Sequence, residues 1–203
     1  MLHISKLPRF LIIWVFPLVI ALVSWRFMVG GVEEMMEHML YHALERPLSF
    51  YLHVGFAPVA LAILPFQFWS DLRMRRPFIH RWLGRLYAVA ILLSGTGGLV
   101  MALGTQAGQV AAWGFGLLAV IWLCVTANAV WFATQGQFAQ HRVWMMRSAA
   151  LTFAAVTLRL YLPFLAMSFG FETGYSLVSW LCWVPNLLII EWIIRRRAKP
   201  LAA

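Results

Sequence analysis

The chain has 203 residues, of which 63% are hydrophobic and 11% charged, and its formal net charge is +9. A soluble domain is roughly half apolar and a quarter charged, so this composition excludes an ordinary water-soluble fold and points to a bilayer as solvent. The positive charge then marks membrane-flanking loops rather than a nucleic-acid face, and nucleic acid is not expected as a partner.

Six apolar segments follow one another, at 9–28, 50–70, 83–104, 109–133, 143–168 and 174–194. Each is long enough to cross, since a helical span needs about 20 residues. In lipid a segment must satisfy its own backbone, so all six are expected to be helices. The first follows Lys6 and Arg9 and runs on through SWRFMV with no small-x-small cleavage site. It is read as a retained helix rather than a signal peptide.

The stretch 29–49 is the one long connection. Within it EEMMEHMLYHALE, 33–45, predicts a short amphipathic helix with Glu34, His38 and His42 at i, i+4 and i+8. Two histidines at that spacing beside a carboxylate suit zinc or copper, and Met35, Met36 and Met39 are soft ligands. An interfacial helix with its methionines in lipid accounts for the same pattern.

The second segment has His53 near its start and Pro58 and Pro65 as interior kinks. The third is introduced by HRWLGRLY, 80–87, and thinned by Gly95, Gly97, Gly98 and Ala102, a face suited to close helix packing. The fourth carries Asn128. The fifth opens with HRVWMMRS, 141–148, and holds Arg159 deep inside. An intramembrane arginine is a candidate ligand group by default; a snorkelling structural cation is the alternative. In the sixth, Asn186 reads with Asn128 as interhelical glue, and Glu191 is expected to pair with Arg195 at i+4. Cys124 and Cys182 stand alone in apolar runs, so no disulfide framework, thiolate zinc site or covalent haem motif is present.

Most of the Lys and Arg fall at the N-terminus, in 71–85, before segment five and at the C-terminus. In a six-span chain these four places share one side, which the positive-inside rule makes cytoplasmic. The expected fold is therefore an all-α integral membrane protein. It is a six-helix transmembrane bundle over 1–203, a single domain with helices two to five as a four-helix core and both termini cytoplasmic.

That topology puts His80 and His141 at matching depth on two helices running the same way. Two imidazoles so placed suit a bis-histidine b-type haem. Gly84 lies one turn from His80 and would let a flat ring approach. Arg81, Arg85, Arg142 and Arg147 could hold the propionates. Cations and histidines at a polar boundary also arise from snorkelling and charge bias alone.

The run HRWLG at 80–84 is similar to the His-x-Trp-Leu-Gly signature of the cytochrome b561 family. That resemblance implies a cytoplasmic-side haem held by His80 and His141. The family's second haem would use His53, but the fourth segment carries no histidine to partner it. Over nearly the whole chain, His53 with PFQF, then LRMRRPFIHRWLGRLY, HRVWMMRSAALTFAAVTLR, WVPNL and a late Glu-Trp resemble the bacterial membrane family catalogued as domain of unknown function 2306. This implies a multi-pass protein of the bacterial cytoplasmic membrane.

The expected function is a haem b protein carrying electrons at or across that membrane, a membrane oxidoreductase exchanging electrons with a donor, an acceptor or a quinone. The alternative is a cofactor-free transporter, small-ligand binder or complex subunit using Arg159, His53 and the intramembrane amides.

Overall fold

The structure is a computed structural model that describes residues 7 and 10–198. Lys6, Arg9 and Lys199, which contribute to the expected charge bias of the termini, lie outside the described residues. Among those described, every regular element is helical. Five helical spans are long and apolar enough to cross a membrane: Pro47–Phe68, Pro77–Leu103, Gly108–Thr134, Phe138–Phe169 and Phe171–Arg197. A sixth exists only if Leu11–Ser24 and Phe27–Met35, bent by 71° at their junction, count as one. The retained first helix expected from sequence is therefore bent within its apolar run. Trp25 leaves helical geometry at φ −89°, ψ 8°, and its indole N–H donates to Gly55 O instead, at 3.1 Å.

The chain divides into two compact units, Met1–Gly104 and Thr105–Ala203. In the first, α1 (Phe16–Ser24), α2 (Phe27–Met35) and α3 (Leu40–Glu45) lead to α4 (Pro47–Phe68); α5 (Ser70–Arg75) then connects to α6 (Pro77–Leu103). Both long helices begin earlier than their apolar runs. Pro47 and Pro77 each occupy the opening turn, where the missing N–H does no harm and φ is already helical. Residues 77–82, His80 and Arg81 among them, are thereby drawn into α6.

α4 and α6 pack antiparallel. At one end Gln67 of α4 meets Gly84 and His80 of α6. At the other, a Cβ on Gly97 would stand 2.5 Å from Ser49 O and 3.1 Å from His53 N. The expected thin face of the third span is thus the contact that lets two backbones approach. Gly97→Val should therefore separate α4 from α6, with an expected loss of about 3 kcal/mol, the upper range for overpacking. Thermal unfolding in detergent checks this, with Thr96→Val, on the exposed side of the same turn, as the control that should leave stability intact.

The second unit comprises α7 (Gly108–Thr134), α8 (Phe138–Thr152), α9 (Ala154–Phe169), α10 (Phe171–Leu181) and α11 (Val184–Ala198). Gly136 at φ +70° makes the turn into α8, and Gly170 at φ +79° the turn into α10. α8 and α9 are one span interrupted at Phe153, and α10 and α11 are one interrupted at Cys182–Trp183. Asn186 bridges the two breaks. Its amide donates to Cys182 O at 2.9 Å, Thr157 Oγ1 at 3.2 Å and Ala150 O at 3.3 Å. Thr157 also donates to Cys182 O. Side chains so placed satisfy carbonyls that irregular helix would leave bare in lipid. Asn186 is the interhelical glue expected; Asn128 instead bonds Cys124 O on its own helix, at 2.9 Å.

Candidate functional site

His141 is the fourth residue of α8, and His80 the fourth of α6. Each sits inside its helix rather than ahead of it, and each donates its backbone N–H to the residue just before the helix, Gln137 O or Arg76 O.

The His141 ring is fixed. Its Nδ1 lies 2.8 Å from Ala129 O of α7. A carbonyl only accepts, so Nδ1 carries the proton and Nε2 carries the lone pair. An imidazole held this way by a backbone carbonyl is pre-oriented as a metal ligand. His53 repeats the arrangement in the first unit, with Nδ1 2.8 Å from Ser94 O of α6 and the ring lying over Gly98. The acceptors Ala129 and Ser94 carry no motif of their own, so sequence reading could not have named them.

His80 lies on the stripe of α6 that also holds Gly84, Tyr87 and Ile91, and its Nδ1 is buried. Gly84 does not open onto empty space. A Cβ there would stand 3.4 Å from Gln67 Oε1, so the carboxamide of α4 fills the gap expected to admit a flat ring. Gln67 Nε2 reaches His80 O at 3.5 Å.

The four arginines proposed for propionates divide. Arg81 and Arg142 are exposed. Arg85 is exposed too, its guanidinium 5.0 Å from the Trp82 ring. Arg147 is committed elsewhere. Its Nε lies 2.5 Å and its Nη2 3.2 Å from the two Glu191 oxygens, and its guanidinium lies 4.6 Å from the Trp144 ring. Two corrections follow. Glu191 is held by Arg147 of α8 rather than by Arg195 one turn away, and the Arg147 fork is already spent on a carboxylate. The i+4 rule found the nearer sequence neighbour; the partner 44 residues away needed the fold.

Below His141 the α7–α8 seam continues as a buried polar ladder. Thr126 Oγ1 meets Ser148 Oγ at 2.8 Å, and Trp122 Nε1 donates to Thr152 Oγ1 at 3.0 Å. Sequence reading missed all four residues, because isolated hydroxyls in apolar runs give no pairing signal. Arg159 Nη1 donates to Ala155 O of its own helix at 3.0 Å.

The metal stripe of Glu34, His38 and His42 does not form. Met36 leaves helical geometry at φ −143°, ψ 41°, so 33–45 is α2, a 3-10 turn at Glu37–Met39 and then α3. Glu34 and His38 are exposed while His42 is 2% exposed. Among the described residues no three His, Cys, Asp or Glu are grouped to hold a metal ion. Burial, with Arg46 next and His53 last, lowers the His42 pKa from 6.5 to about 4, against a small opposing effect of Glu45.

The family model described as "Predicted membrane protein (DUF2306)" matches residues 50–194. The chain belongs to this family. The match spans α4 to the middle of α11 and so includes His53, His80, His141, Arg147 and Glu191, while His42 lies ahead of it. With five or six apolar helices, this DUF2306 member is a multi-pass membrane protein whose wide apolar surface meets lipid. No curated protein and no solved structure matches it.

Proposed function

We propose that this chain is a b-type haem protein of the bacterial cytoplasmic membrane, with both termini and the arginine-rich 71–85 stretch on the cytoplasmic side. The observation that carries the reading is the His141 imidazole, fixed by Ala129 O with Nε2 left as the lone-pair nitrogen. His80 is named as the second ligand on the matching His-Arg openings of the two helices, each with histidine at its fourth position. His53 would be a further ligand in the same tautomer.

Bound haem would supply one-electron chemistry at a potential set by its axial ligands and burial. The chain's own residues orient the imidazoles. Arg81 and Arg142 present cations to propionates or to an anionic donor, and the exposed Trp82 and Phe78 face could meet a quinone. Arg147 and Glu191 neutralise each other and brace α8 against α11.

The test is an absorption spectrum of protein purified from haem-replete cells. Reduced protein should show low-spin bis-histidine bands. His141→Ala and His80→Ala should each abolish the bands or convert them to high spin, while His38→Ala should change nothing. A colourless preparation would overturn the reading in favour of a cofactor-free transporter or subunit.

A further inference from the structure

The exposed face of α6 holds a groove near its arginine-bearing end. Its volume is about 450 Å³, within the range of small-ligand sites, and Phe78, Trp82, Leu83, Leu86 and Val89 line it together with Arg85. The wall is almost wholly apolar, so Arg85 meets it through its alkyl stem. The guanidinium is carried back toward the helix start, where it lies 5.0 Å from the centre of the Trp82 ring. Phe78 packs edge-on to Trp82, centroids 6.1 Å apart, and steadies that ring.

The groove straddles a polarity boundary. α6 has 27 residues, a length of about 40 Å against a hydrocarbon core of about 30 Å. From Leu86 to Leu103 it carries no charge, and Arg85 is the last of its cations. The excess length therefore lies at the Pro77 end. Leu86 and Val89 stand at acyl-chain depth, and Trp82 and Arg85 at headgroup level. A ligand that fits is apolar at one end and anionic at the other. The charge is one-sided: within 71–85, Arg73, Arg75, Arg76, Arg81 and Arg85 stand against the single acid Asp71. Among the described residues none of these arginines is paired with a carboxylate. Trp144 and Arg147 repeat the same three-residue spacing and ring contact in the second unit, but there Glu191 neutralises the cation. Arg85 is presented without that counter-ion. A quinone is uncharged and would give the guanidinium no anion to hold.

We propose that this groove binds one anionic phospholipid, with an acyl chain along Leu86 and Val89 and the phosphate on the Arg85 guanidinium beside Trp82. The planar fork of arginine matches two phosphate oxygens. Arg73, Arg75 and Arg76 draw anionic lipid to the same surface. The site is independent of the haem reading and uses none of His80, His141, Arg81 or Arg142.

The experiment uses the full chain, delipidated in mild detergent and titrated with phosphatidylglycerol or with phosphatidylcholine of the same acyl chains. Native mass spectrometry reads the lipid retained. One phosphatidylglycerol per chain should stay bound at concentrations where phosphatidylcholine does not. Arg85→Gln should weaken that retention by about fivefold, the effect of one basic residue at a lipid surface. Arg197→Gln makes the same charge change at the exposed end of α11 and should leave it intact. Val89→Trp fills the groove, keeps every charge and should also lower retention. Melting temperatures of the same samples show that each variant is folded, and the comparison of the two lipids on the wild type needs no variant. Equal retention of the two lipids would overturn the site. So would equal losses in Arg85→Gln and Arg197→Gln, which would make the effect one of bulk charge, or unaltered retention in a folded Val89→Trp protein. Displacement of the lipid by an uncharged quinone, or a lipid-free dimer that Val89→Trp dissociates, would overturn it in favour of those occupants. Haem content read on the same samples separates this outcome from that of the haem reading.

Discussion

Arg147→Leu should unfold or loosen the second unit, and Arg147→Leu combined with Glu191→Leu should largely restore it. The pair is two-pronged, at 2.5 and 3.2 Å, and its side chains are only 21% and 26% exposed. Removing the guanidinium strands a carboxylate inside a membrane span. The expected loss is about 3 kcal/mol, because a largely buried carboxylate loses its two-pronged partner. Removing both charges leaves apolar side chains at an apolar position, which is commonly neutral or stabilising. Thermal unfolding of the single and double variants in detergent measures the coupling. A double variant as weak as Arg147→Leu would show that packing on Trp144, and not the ion pair, joins α8 to α11. Because Arg147 is one turn and a half beyond His141, haem content of the same variants reports whether that brace also holds the ligand in place.

Hydropathy made the spans legible because lipid imposes one rule on every residue of a segment. The second to sixth spans appear within a few residues of expectation except where helices begin early. Those early starts at Pro47, Pro77 and Phe138 follow proline and glycine chemistry, which a hydrophobicity scan ignores. The first segment carries a bend that hydropathy does not report, because Trp25 at that bend bonds Gly55 O, a long-range event. The sites divide the same way. Gly97 as a packing position could be read from small residues alone, His53 as the one imidazole in the second segment, and His141 as the imidazole just ahead of the fifth. What orients them is a backbone carbonyl, and carbonyls are the same at every position of a sequence. The 33–45 stretch failed for a different reason. Its i, i+4, i+8 stripe presumes unbroken helix, and Met36 breaks it, turning His42 inward and leaving Glu34 and His38 in solvent.

Acidification should weaken the first unit through His42. Its folded pKa of about 4 lies below the ordinary 6.5, chiefly because the ring is buried and then because Arg46 is near, with His53 adding slightly and Glu45 opposing. Between those two values the unfolded chain binds a proton that the folded chain refuses, so stability rises with pH there. The contribution of neutral His42 is complete above 6.5 and is lost as pH falls toward 4. Each pKa unit corresponds to about 1.4 kcal/mol, so the full window is at most roughly 3 kcal/mol, less what solvent screening removes. Unfolding of detergent-solubilised protein at pH 7.5 and pH 4.5 should show this difference. His42→Phe keeps a ring against Tyr41 and has no proton to bind, so its stability should be nearly flat over the same range. Equal pH dependence in the wild type and His42→Phe would move the effect to other groups, and the buried imidazole would no longer explain it.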